Sequence, residues 1–105
     1  MDYGVVLDLE TSGMEIGKDQ VIEVGLLEFC VGADGKPHIT NMYGAVEDPG
    51  FPLSPEIQKL TGLKDETLAG QRVNWDYVRQ ILERASLVIA HNAAFDRSFI
   101  ELRPE

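Results

Sequence analysis

The sequence has 105 residues, 44% of them apolar, enough for one modest core and too few for two domains. Eighteen acids against nine bases give a net charge of −9, which argues against a protein that grips long duplexes by neutralising their phosphates. No apolar run approaches the roughly 20 residues of a membrane span, no basic and apolar leader opens the chain, and Cys30 is the single cysteine; the expectation is a cytoplasmic protein with that thiol packed as a small apolar group.

In chain order, Val5-Val6-Leu7 is a short β-branched and apolar run that ends in the polar turn Thr11-Ser12-Gly13. Its lack of strict alternation predicts a buried strand covered on both faces. Asp8 and Glu10 stand at its end, two apart, so both leave one face of the strand, about 6 to 7 Å apart along the backbone. In a dry site such a pair repels, and one member would hold its proton. A divalent cation removes the conflict, since Mg²⁺ and Mn²⁺ take hard oxygen ligands. Taken alone, the pair reads as two solvated residues at a strand end, and it is the second acidic cluster near the end of the chain that favours the metal reading.

Residues 20–29 predict a longer strand, interrupted by Glu23; Asp34-Gly35 with Lys36-Pro37 signals a turn, and residues 39–46 form the returning strand of an antiparallel hairpin. His38, beside the turn, is expected in solvent. Ser54 before Pro55 is an N-cap followed by Pro at the first helical position, and Gly62 is a stop, which predicts a helix over 55–61. Residues 63–72 are polar and read as loop or a brief turn. Asn74 then caps a second helix, with Trp75, Val78, Leu82 and Ala85 on its core face and Arg79, Glu83 and Arg84 mostly outside it. Residues 87–90 are a second short apolar strand, predicted to be buried and to join the sheet parallel to the first through a right-handed crossover. It too runs into a polar cluster, His91-Asn92-Ala93-Ala94-Phe95-Asp96. In open α/β sheets ligands collect beyond the carboxyl ends of parallel strands, where both acidic clusters emerge.

At these residues the sequence resembles a known family. VLDLETSG, at 6–13, is similar to the first motif of the DnaQ-like (DEDD) 3′-5′ exonucleases, and AHNAAFDRSFI, at 90–100, to the second. SPEIQKLTGLKDETL, at 54–68, is similar to a segment between them. The family includes the proofreading subunit of bacterial DNA polymerase III and ribonuclease T. The resemblance implies an α/β, ribonuclease H-like mixed sheet: three antiparallel strands, and a fourth parallel to the first. It covers essentially all of residues 1–105 but only the N-terminal portion of the family's domain, because the third motif, with its catalytic His or Tyr and a fourth acid, has no counterpart here.

The implied site has Asp8, Glu10 and Asp96 as catalytic ligands of two divalent cations, Mg²⁺ or Mn²⁺. The implied reaction is phosphodiester hydrolysis at the 3′ end of single-stranded DNA or RNA by a two-metal mechanism, with a DNA polymerase as a further partner. The acidic balance does not exclude this, because an enzyme holding only the last nucleotides of a strand can let metal ions and backbone amides supply the attraction. For substrate contacts the resemblance implies Thr11, Ser12 and Gly13 in a turn against the terminal nucleotide, Met14 as a wedge on its base, Leu60 and Thr61 as a wall, and Asn92 and Phe95 opposite. The family often has Thr at position 12 and His at 61. Glu23 takes a structural role by the same resemblance. With the third motif's base missing, the isolated chain is expected to be inactive and to self-associate through the exposed edge at 87–90. The alternative is a non-catalytic exonuclease-like module that binds nucleic acid or a polymerase.

Overall fold

The computed structural model describes residues 2–90 together with Asp96 and Phe99. Four strands form one sheet in the order β3-β2-β1-β4: β1 is Tyr3–Thr11, β2 Val21–Val31, β3 Pro37–Val46 and β4 Ala85–Ala90. The first three pair antiparallel, and β4 runs parallel to β1 with Val6 opposite Ile89 and Leu7 opposite Ala90. This is the mixed sheet expected from the sequence. Three helices, α1 (Pro55–Thr61), α2 (Asp65–Leu68) and α3 (Trp75–Arg84), lie in the connection from β3 to β4. Among the described residues no helix is long and apolar enough to cross a membrane.

The helix limits follow from local chemistry. Ser54 Oγ accepts from Ile57 N at 3.2 Å, Pro55 opens α1, and Gly62 closes it at φ 77°, a left-handed conformation that costs glycine nothing. Asn74 caps α3 by accepting from Tyr77 N at 3.1 Å. The loop expected over 63–72 contains one further turn of helix, α2, which buries Leu68. β4 begins at Ala85, two residues earlier than the apolar run predicts, because the chain passes from the last residue of α3 straight into the sheet.

One face of the sheet carries the core. Val5, Leu7 and Leu9 of β1 and Val24 and Leu26 of β2 pack against Val78 and Ile81 of α3, with Val73 and Phe99 closing the cluster and Trp75, Leu82 and Ala85 at its margin. Ile81, one position from the expected Leu82, is the more deeply buried of the two. Ile22, Leu53 and Leu68 form a smaller cluster under α1 and α2. Cys30 is buried as a free thiol, and His38 is in solvent beside Asp34.

Two expectations are corrected. The first strand is not covered on both faces: burial alternates, with Val5 and Leu7 inside and Val6 42% exposed. Nor is the fourth strand buried, for Leu87, Val88 and Ile89 of β4 are exposed. The physical reason is common to both. Among the described residues the helices in contact with the sheet lie on one face only, and β4 is an edge with β1 as its single neighbour.

Candidate active site

Alternation along β1 decides where its carboxylates go. With Val5, Leu7 and Leu9 turned into the core, Val6, Asp8 and Glu10 share the opposite face. Antiparallel register then sets Glu10 opposite Glu23 and Asp8 opposite Gly25, while Gly25 pairs with Gly44 on β3. Asp8, Glu10 and Glu23 therefore edge an open cleft of about 620 Å³, which Gln71 and Arg72 also line. Asp96, helical and 5% exposed, lies close enough for its charge to act on Glu10.

The electrostatics of that row fall on Glu10. Partial burial raises its carboxyl above the ordinary range, and the charges of Asp8, Glu23 and Asp96 push it the same way. Three acids thus oppose the ionisation of a fourth, and a cation among them would relieve that opposition. The donors are all carboxylate oxygens, the set that hard divalent ions take. Among the described residues no three acidic or imidazole side chains are gathered tightly enough to count as a preformed metal cluster. The carboxylates meet at electrostatic range.

The turn after β1 is built around Asp19. Its carboxylate accepts from Ser12 Oγ at 3.0 Å and from Glu15 N at 2.9 Å, and it lies so near Gly13 that a side chain there would collide with it. Gln20 N donates to Ser12 Oγ at 2.9 Å, and Ser12 N donates to Gln20 O at 2.8 Å. Ser12 is thereby committed to holding the turn through both its hydroxyl and its amide. Thr11 Oγ1 donates to Gly13 O at 2.6 Å. Of the side chains expected to contact substrate, Met14, 75% exposed, and Leu60, 76% exposed, present apolar groups to solvent. Thr61 Oγ1 donates to Ile57 O at 2.8 Å and accepts from Leu63 N at 3.1 Å, so it finishes α1. His91, Asn92 and Phe95 lie outside the described residues.

Sequence reasoning missed two members of the cleft. Glu23 takes a structural role in the resemblance, and only its register opposite Glu10 brings it to the cleft. Arg72 stands in a polar loop with no local signal. Its position comes from the fold of the strap between α2 and α3.

A mixed sheet with β1 and β4 parallel and adjacent, and with acids near the end of β1 and at the facing start of β2, defines a ribonuclease H-like fold with an acidic cleft. The chain matches the exonuclease family over residues 5–102 and belongs to that family. Among its relatives are DNA polymerase III PolC-type proteins of Thermotoga petrophila, 32% identical over 100 residues, and Caldanaerobacter subterraneus subsp. tengcongensis, 30% identical over 99. These matches cover 93% and 92% of this chain and 7% of each polymerase. Among solved structures, E. coli Exonuclease I in complex with a dA16 oligonucleotide superposes with a TM-score of 0.75 at 12% identity, covering 95% of this chain and 23% of that one. Exonuclease X in complex with 5′ overhanging duplex DNA gives 0.66 at 24%, covering 97% of this chain and 54% of that one.

Proposed function

We propose that these residues form the carboxylate-bearing part of a 3′-5′ exonuclease acting on a single strand of DNA or RNA, with Asp8, Glu10 and Asp96 holding two divalent cations, Mg²⁺ or Mn²⁺. The observation that carries this reading is the placing of Asp8 and Glu10 on one face of β1, with Glu10 opposite Glu23, at the mouth of an open cleft where partial burial and then the charges of Asp8, Glu23 and Asp96 raise the Glu10 carboxyl. Such ions supply Lewis-acid activation of water and stabilisation of the leaving 3′ oxygen. The chain's own part is to fix two of the acids on a rigid strand, where the alternation of β1 holds both on one face. Gly13 and Met14, at the outer end of the turn, and Leu60 would meet the terminal nucleotide. The PolC-type relatives suggest a polymerase as the setting in which the domain works.

No residue here is read as a general base, and the loss of a base alone costs about 10²- to 10⁴-fold. These 105 residues by themselves should therefore not hydrolyse phosphodiesters at a useful rate. Calorimetry with Mn²⁺ tests the site: the wild type binds weakly, and Asp8→Asn removes the binding while circular dichroism stays unchanged. Equal affinity in both would reject it. A 5′-labelled single strand with Mn²⁺ tests the reaction. A ladder of shortened products should appear only when the chain is extended through a third motif carrying a base and a fourth acid, and a ladder from these 105 residues, abolished by Asp8→Asn, would show that the base lies within them.

A further inference from the structure

The acidic cleft also contains a cation to which the proposed chemistry gives no role. Arg72 lines it with Asp8, Glu10 and Glu23, its side chain is exposed, and among the described residues it makes no hydrogen bond or ion pair. Its backbone is fixed on both sides. Gln71 O accepts from Asp48 N at 2.9 Å, and Val73 N donates at 3.0 Å to the carboxylate of Glu47, which is itself 4% exposed. Trp75 Nε1 donates to the same carboxylate oxygen at 2.9 Å, and Val73 is anchored in the core. The bond from Asp48 holds this strap just past the end of β3, on the side of the cleft away from β1. The floor between them carries no side chains where Gly25 and Gly44 pair: a Cβ added at either would meet nothing nearer than 3.8 Å.

We propose that Arg72 takes a backbone phosphate of the single strand whose 3′ end lies at Asp8 and Glu10, the strand crossing the bare glycine floor between them; this rests on the exonuclease reading above. A guanidinium is a fixed fork of donors matched to two phosphate oxygens, and among the described residues none of those donors is spent in a hydrogen bond, although its charge acts on Asp48. A chain of net charge −9 repels a polyanion in general, so a cation held at one side of the cleft gives the strand a defined way in. The contact fixes position and reads no base.

The test is fluorescence anisotropy of a 5′-fluorescein oligothymidylate of about eight nucleotides, within the span that ordinary single-strand sites cover, titrated with the chain and Mn²⁺ over a range of NaCl. Arg72→Ala should weaken binding roughly tenfold and flatten the log Kd against log[salt] slope by about 0.7, the contribution of one phosphate contact on a single strand. Arg72→Lys should keep the slope and recover only part of the affinity, because it restores the charge and not the fork. An RNA of matching sequence should suffer the same loss, since the contact is to phosphate and not to the 2′-hydroxyl. If Arg72→Ala binds the strand as the wild type does, with an unchanged slope, the arginine merely offsets the neighbouring carboxylates and this inference fails while the exonuclease reading stands. A wild type that binds neither oligonucleotide overturns both.

Discussion

Glu10 and Glu28 are acids of neighbouring strands whose protons are shifted in opposite directions. Glu28 is fully buried on the core face of β2, where the Arg84 guanidinium donates to it at 2.7 and 2.8 Å and Thr40 Oγ1 at 2.7 Å. The Arg84 bonds lead in holding its carboxyl below the ordinary value. Glu10 is raised, chiefly by burial and then by its acidic neighbours. The signs follow by linkage. Glu28 contributes stability that is full above its unfolded pKa and is lost as the pH falls through its lowered folded value. Glu10 destabilises the metal-free fold once the pH is high enough to ionise it, and stops doing so below its unfolded pKa. Glu28→Gln should therefore cost about 1 to 2 kcal/mol at pH 7, the worth of a charge-assisted bond over a neutral one, with the cost shrinking toward pH 3. Glu10→Gln should gain about 0.5 kcal/mol at pH 7 without metal, an order-of-magnitude figure for a partly screened group, and nothing at pH 3. Urea denaturation at the two pH values reads both, and a Glu10→Gln chain less stable than the wild type at pH 7 would count against the charge pressure assigned to the site. The Glu28 shift was not legible in the sequence, whereas the two-residue spacing of Asp8 and Glu10 already implied that one of them would hold its proton, without saying which. Glu28 looks like an acid interrupting an apolar strand, and its partner is 56 residues away in the chain.

At the scale of elements, what the sequence disclosed was whatever is decided locally. Ser54, Pro55 and Gly62 carry the signals for both ends of α1, and the helix runs between them as read. The alternation of β1 was hidden because Val6 is as apolar as its buried neighbours, so composition alone could not say which face is bare. The strap from Gln71 to Trp75 depends on Glu47, a carboxylate 26 residues before Val73 in the chain that no pattern announces. Two elements thus rest on hydrogen bonds of different worth. Glu47→Ala strands the Val73 amide, and with it a half-buried indole N–H, and should cost about 2 to 3 kcal/mol, the penalty of unsatisfied buried donors. Ser54→Ala removes a cap exposed to water, which replaces the bond, and should cost about 1 kcal/mol. Chemical denaturation of the two variants checks the order. A Ser54→Ala chain destabilised as much as Glu47→Ala would mean that the strap draws its rigidity from somewhere other than Glu47.

On the scale of the whole molecule the sheet is two-sided, and among the described residues only one side is packed by helices. Val6, Ile39, Met42, Leu87 and Ile89 are large apolar side chains at 42% to 70% exposure, and among the described residues β4 is an edge strand beside them. An edge that is apolar and carries no charged side chain is a template for another strand, since the devices that block such pairing, lysine, proline or a bulge, are missing along 87–90. We propose that the isolated chain self-associates through this edge. The net charge of −9 opposes that association through long-range repulsion, which salt screens, whereas burial of apolar surface is not weakened by salt. The two forces therefore predict a direction: the weight-average mass from light scattering should rise with protein concentration and rise further with NaCl. Val88→Lys places a charge in the middle of the edge and should return the chain to a monomer at every salt concentration, with little change in the hydrophobic core, since Val88 is already 42% exposed. A wild type that stays monomeric in high salt and melts at a high temperature would sink the proposal. Association that falls with salt would sink it as well, because the contact would then be ionic and could not be the apolar edge of β4.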